Sequence, residues 1–205
     1  MKEKDIYLIR HGQTALNAGR RILGQLDIGL TDEGVEEVRR LALHLKEQRV
    51  QPQMIYTSPL LRALRTAELL QSDLGGFIEE DEALREIDYG LYEGADRQGL
   101  RDIEYGYSFL KMQEGQGETA EEVERRILPF LNSVLLAEED SVLVVTHAFS
   151  ASVMAQIMMR IPITYQNIQP LATADYSHFK VERGGENTVY VLSIQRHCLK
   201  GALSI

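Results

Sequence analysis

The run Ser141–Thr146, SVLVVT, constrains the fold more than any other stretch of this 205-residue chain. It is continuously apolar and rich in valine, with no polar face to turn towards water. A strand of that kind is covered on both sides. It belongs at the centre of a parallel sheet, because the crossovers joining parallel strands lay helices on the two faces. Three more segments read as strands: Asp5–Ile9 (DIYLI), Met54–Ser58 (MIYTS) and Val189–Ile194 (VYVLSI).

Helical patterns lie between them. After Thr31, a plausible N-cap, Val35, Val38, Leu41, Ala42 and Leu45 fall on one stripe of TDEGVEEVRRLALHLKEQ. SPLLRALRTAELL reads as a helix with Ser58 as N-cap and Pro59 at its first position, where the missing N–H costs nothing. Thr119 and Glu122 have capping-box spacing ahead of Val123, Ile127 and Phe130, and Pro129 is expected to bend or split that helix. A last helix is expected over Ser150–Met159. Alternating strands and helices predict an α/β fold: a mostly parallel central sheet with right-handed crossovers and helices on both faces. Residues 1–205 read as one domain, with the glycine-rich, weakly periodic stretch 94–118 as a lid-like excursion.

Composition narrows the partners. No apolar stretch reaches the roughly 20 residues that span a bilayer, and the apolar run near the start is too short for a secretory signal. Cys198 is the only cysteine, so an internal disulfide is excluded and a reducing cytoplasm is the natural expectation. A net charge of −9 argues against nucleic acid, which needs basic surface. A small anion remains admissible, because local clusters set the field in a cleft.

Such a cluster is present. Ligands of open parallel sheets bind beyond the carboxyl ends of the strands. Arg10 and His11 directly follow one strand, His147 follows the valine-rich strand, and Arg62 lies in the first turn of the helix after MIYTS. Strand ends thus deliver two guanidinium groups and two imidazoles to one edge, a receptor for a doubly charged phosphate group, with a helix N-terminus adding to the field. A neutral imidazole can attack phosphorus, and Glu86 in ALREIDYGLYEG could protonate a leaving alkoxide. A carboxyl beside a bound phosphate is driven towards its protonated form by the like charge.

Four segments, LIRHGQTALN, SPLLRALRTAELL, LREIDYGLYEG and VLVVTHA, resemble in order and spacing the signatures of the histidine phosphatase superfamily, with its phosphoglycerate mutase-like fold. RRILG (20–24) and DIGLTDEG (27–34) are similar to the family pattern as well. The resemblance implies that His11 is the nucleophile and becomes phosphorylated. Arg10, Arg62 and His147 would hold the phosphoryl oxygens, Asn17 would add a contact, and Glu86 would be the proton donor and then activate water. It implies no metal and no organic cofactor. The implied activity is hydrolysis of a small phosphorylated metabolite with release of inorganic phosphate. The α-ribazole and broad-specificity phosphatase branches resemble the chain more than the mutase branch, where the acid Glu is usually followed by Arg-His-Tyr-Gly rather than EIDYG. A phosphoglycerate mutase, a fructose-2,6-bisphosphatase and a catalytically idle phosphate-binding module are the alternatives. Leu23, Ala148–Phe149 and Tyr92 depart from the family's usual residues without removing a group the chemistry needs.

Blander roles are expected elsewhere. A zinc site built on His11 and His147 lacks any short His/Cys spacing to support it. His44 reads as surface, His178 and His197 as structural, and Arg20, Arg21 and Arg65 as salt-bridging residues. The run ETAEEVE reads as a solvated helix face. Substrate and oligomeric state are not written in the sequence.

Overall fold

The computed structural model describes residues 2–96, 117–164, 167–184 and 189–198. Six strands form one sheet: β1 (Lys2–Arg10), β2 (Met54–Thr57), β3 (Phe77–Glu80), β4 (Ser141–Thr146), β5 (Tyr176–Arg183) and β6 (Val189–His197), in spatial order β3-β2-β4-β1-β5-β6. The β3–β2, β2–β4 and β4–β1 pairings are parallel, and β5 and β6 extend the sheet antiparallel. The expected fold class is therefore the observed one. The α-helices are α1 (Ala15–Ala18), α2 (Asp32–Glu47), α3 (Leu61–Leu74), α4 (Ala120–Leu136) and α5 (Ala148–Met159). Most of the stretch expected to be a lid, 94–118, lies outside the described residues.

The valine-rich strand behaves as its composition demands. On β4, Val142 and Val144 face a core built with Val123, Ile127, Phe130, Val153 and Met154 from α4 and α5. Leu143 and Val145 face the opposite core, shared with Val38, Leu41 and Leu45 of α2 and Ala63, Ala67 and Leu70 of α3. Successive side chains of a strand point to opposite faces, so a strand with a helical layer on each side needs apolar residues throughout. Each fully buried Val or Leu contributes about 1.5–3 kcal/mol.

Local signals set most helix ends, with departures at α3, α4 and α5. Thr31 caps α2 by accepting from the Gly34 N–H at 3.0 Å, and Thr119 and Glu122 form the expected box on α4. Ser58 does not cap α3: the helix begins at Leu61, Pro59 stands outside it, and the Leu61 N–H donates instead to Asp27 Oδ1 at 2.7 Å. α4 runs unsplit through Pro129, because six buried residues along its length hold it on the sheet. α5 starts at Ala148, two residues earlier than its pattern suggests, directly from the end of β4.

Candidate active site

Register places the two histidines. Arg10 of β1 is paired with Thr146 of β4, so the chain leaves both strands at the same height, and the His11 N–H donates to the Thr146 carbonyl at 3.1 Å. The His11 and His147 rings lie 5.1 Å apart, edge to face at 60°. His11 Nδ1 is 2.7 Å from the Gly12 carbonyl. A carbonyl only accepts, so Nδ1 carries the ring proton and Nε2 presents a lone pair. Facing that lone pair at 3.3 Å is Arg62 Nε, which also lies 3.2 Å from His147 Nδ1.

Arg62 is fully buried, an expensive place for a cation, and the surrounding loop compensates. Nη1 donates to the Leu26 carbonyl at 2.7 Å and Nη2 to the Gly24 carbonyl at 2.6 Å. Glu93 holds that loop by accepting from the Gln25 N–H at 2.7 Å. Gly24 has φ +54°, and a Cβ on it would stand 2.0 Å from Glu93 Oε1. Thr66 Oγ1 donates to the Arg62 carbonyl at 2.7 Å and accepts from the Gly12 N–H at 3.1 Å, tying α3 to the Arg10–His11–Gly12 turn. Burial lowers the Arg62 pKa to about 10, opposed by the carboxylates of Glu86 and Asp27, so the group remains cationic near neutrality. The same burial, reinforced by Arg62 and Arg10, holds His11 well below the usual histidine range. His147 is lowered likewise, by burial first and then by Arg62, His11, Arg10 and Arg126. Both imidazoles are neutral at pH 7.

Glu86 sits at the mouth of α5. Its Oε1 accepts from the N–H groups of Ile87 (3.1 Å) and Ser150 (3.2 Å), and its Oε2 accepts from the Phe149 N–H (3.2 Å). The segment carrying it is pinned by Thr146 Oγ1 to the Leu84 carbonyl (2.7 Å), Ser150 Oγ to the Arg85 carbonyl (2.6 Å) and Arg126 to the Ala83 carbonyl (2.6 Å). The Phe149 and Ser150 N–H groups in the first turn of α5 serve Glu86, and the Leu61 N–H at the start of α3 serves Asp27.

Arg10 extends from the end of β1 and donates from Nη1 to the Leu171 carbonyl at 2.6 Å, and its charge acts on His11, His147 and Arg62. Asn17 is engaged locally: its Oδ1 accepts from Thr14 Oγ1 (3.0 Å) and the Thr14 N–H (3.3 Å) in the capping box of α1. Only its amide nitrogen is then suited to a phosphate contact. Arg65 pairs with Glu68 at 2.8 Å on the exposed side of α3. Among the described residues no group of three or more His, Cys, Asp or Glu is placed to hold a metal ion.

Ser58, Thr66, Asp27 and Glu93 escaped the sequence reading as members of this neighbourhood. Ser58 was visible in SPLLRA but suited a helix cap equally well. Instead its Oγ lies 2.8 Å from His147 Nε2. Thr66 sits four residues after Arg62, on the same face of α3, a spacing that could have flagged it.

A family model described as the histidine phosphatase superfamily (branch 1) matches residues 6–193. A curated relative from Cronobacter sakazakii, named "Probable phosphoglycerate mutase GpmB", is 33% identical over 165 residues, covering 77% of this chain and 75% of the relative. One from Hydrogenobacter thermophilus, named "Putative phosphoserine phosphatase 2", is 33% identical over 150 residues, covering 70% and 73%. The solved structure of Bacillus stearothermophilus YhfR superimposes with a TM-score of 0.77 at 29% identity, over 92% of this chain and 95% of that one. Mutase and phosphatase names thus stand at equal identity.

Proposed function

The chain belongs to the histidine phosphatase superfamily and is a phosphatase-type enzyme, and from that premise we propose that it hydrolyses a small phosphomonoester through a phosphohistidine on His11. The observation that carries this reading is the neutral, buried His11 ring, whose Nε2 lone pair faces the Arg62 guanidinium at 3.3 Å while Nδ1–H is held by the Gly12 carbonyl.

In the first half-reaction His11 Nε2 attacks phosphorus as the bond to the substrate oxygen breaks. Arg10, Arg62 and His147 neutralise the equatorial oxygens, and the Asn17 amide adds a donor. Glu86 hands a proton to the leaving alkoxide. Oε2 suits that role better than Oε1, because it has one hydrogen-bond donor against two. In the second half-reaction Glu86 takes a proton from water, the water oxygen bonds to phosphorus, and the N–P bond breaks to return His11 and inorganic phosphate. The Gly12 carbonyl accepts from Nδ1–H throughout, steadying the ring as it becomes cationic on phosphorylation.

The test is direct. Full-length protein incubated with p-nitrophenyl phosphate and quenched should carry acid-labile phosphate, absent from His11→Ala. Phosphate binding with neither turnover nor phosphoprotein would sink the reading. A mutase role is the second reading, favoured by the name of the 33% identical Cronobacter relative. 3-Phosphoglycerate with its bisphosphate cofactor should then be isomerised without stoichiometric release of phosphate. A turnover panel of α-ribazole phosphate, phosphoserine, fructose 2,6-bisphosphate, sugar phosphates and nucleotides ranks the substrates.

A further inference from the structure

One buried contact of the site has no part in the mechanism above: Ser58 Oγ to His147 Nε2, 2.8 Å, between two fully buried residues. Ser58 is firmly placed. Its N–H donates to the Val145 carbonyl of β4 at 3.0 Å, and its Oγ accepts from the Leu60 N–H at 3.3 Å. On the other side of the ring, Arg62 Nε–H points at His147 Nδ1 from 3.2 Å. The arginine can only donate, so Nδ1 is the acceptor and the ring proton resides on Nε2, directed at Ser58.

In that state the His147 Nδ1 lone pair accepts from the Arg62 Nε–H that it shares with His11, and the ring has no proton to give to the space between them. A phosphoryl oxygen brought there is also an acceptor, and the two repel. His147 must therefore become a donor at Nδ1. Acquiring a second proton is opposed by its burial and by the charges of Arg62, Arg10 and Arg126 around it. Moving the one proton across the ring avoids that cost but leaves Nε2 bare in a buried setting. A hydroxyl can accept from Nε2–H and donate to a bare Nε2 from the same position, which neither a carbonyl nor an amide N–H can do.

We propose, resting on the phosphatase reading, that Ser58 is a positioning residue whose hydroxyl reverses its hydrogen bond to His147, so that neutral His147 donates from Nδ1 to a phosphoryl oxygen. One proton leaves Nε2 and one arrives at Nδ1 by exchange through water, so the net charge is unchanged. Ser58 keeps its own proton and rotates it onto Nε2.

Imidazole 15N–1H spectra of full-length protein, titrated with inorganic phosphate, test this, with His147 assigned by its loss in His147→Gln. The expected result is protonation at Nε2 without phosphate and at Nδ1 with it. A ring that stays protonated at Nε2, or carries both protons with phosphate bound, overturns the proposal. In kinetics, Ser58→Ala should lower kcat for p-nitrophenyl phosphate about 10- to 100-fold, the worth of one hydrogen bond to a charged group in the transition state. Ser58→Thr should restore it to within about threefold. A Ser58→Ala protein that folds and melts normally with wild-type kcat also overturns it. If wild-type protein neither turns over aryl phosphates nor responds to phosphate in the spectra, the phosphatase reading itself fails, a result distinct from either.

Discussion

Two groups of histidines share one sheet, and their neighbours give them different work. His11 and His147 stand past the carboxyl ends of β1 and β4, buried against Arg62. The second group lies along the antiparallel edge. His178 stacks on Tyr7 at 4.4 Å and 4°, and His197 on Tyr176 at 4.4 Å and 7°, each pair directly opposite in the strand register. His44 reaches over from α2 to within 3.1 Å of the Tyr176 hydroxyl, and His178 meets Asp5 at 2.7 Å. His44 is thus a half-buried bridge rather than a surface residue. Where the ring faces guanidinium groups it is kept neutral and available. Where it faces π surfaces and a carboxylate it packs as a flat side chain with a polar tip. The environment, not the residue type, separates a reactive imidazole from a structural one.

The strongest way to break that contrast is to remove one ring from each group. His11→Ala should reduce aryl phosphatase turnover about 10⁴-fold or more and abolish the phosphoprotein, while His178→Phe should keep turnover within about threefold. Equal losses in a steady-state assay would erase the distinction. Glu86→Gln sharpens the reactive side: a loss of about 10²–10⁴ is expected for alkyl phosphates, whose leaving groups need a proton, and clearly less for p-nitrophenyl phosphate.

Stability probes the framework common to both groups. Leu143→Ala on β4 should cost about 2–5 kcal/mol in urea unfolding with little change in the pH profile of activity. Titration gives a further handle. His11, His147 and His197 all have pKa values lowered by burial, so the unfolded chain binds more protons than the native one below about pH 6.5. Their contribution is intact above that value and lost as pH falls towards the native values. Tm should therefore drop from pH 7.5 to pH 5.5, more shallowly in His147→Gln, and a Tm that rose over this interval would contradict the burial argument. The smallest effect is expected at Arg65, one turn from Arg62 but exposed: Arg65→Ala should change stability by at most about 0.5 kcal/mol and leave turnover unchanged.

Much of this was legible in the chain because it is written locally. A strand apolar at every position announces two covering layers, and Thr31 and Thr119 cap where their spacing says. Residues that follow strand ends share one edge, so Arg10, His11, Arg62 and His147 could be grouped without coordinates. β3 was invisible because FIEE is an edge strand with little to bury, and β5 because YSHFKVER mixes its packing residues with charges. The partners of the site were illegible for another reason. Ser58 answers to His147 across 89 positions and Asp27 to Leu61 across 34, and a hydroxyl or carboxylate able to cap a helix reads the same whichever donor it finds.

The glycine after His11 has a mechanical consequence. A Cβ at Gly12 would stand 2.5 Å from the Gly34 carbonyl, and one at Gly34 would stand 2.1 Å from that of Gln13. α2 and the turn therefore meet backbone to backbone, with Val38 Cγ2 of the same helix 2.9 Å from where the Gly12 Cβ would stand. The helix acts as a fixed stop against which the turn that carries His11 is set. Even one methyl group at this seam would work as a shim, and the Thr66 link from the Gly12 N–H to the Arg62 carbonyl would carry the displacement on to α3.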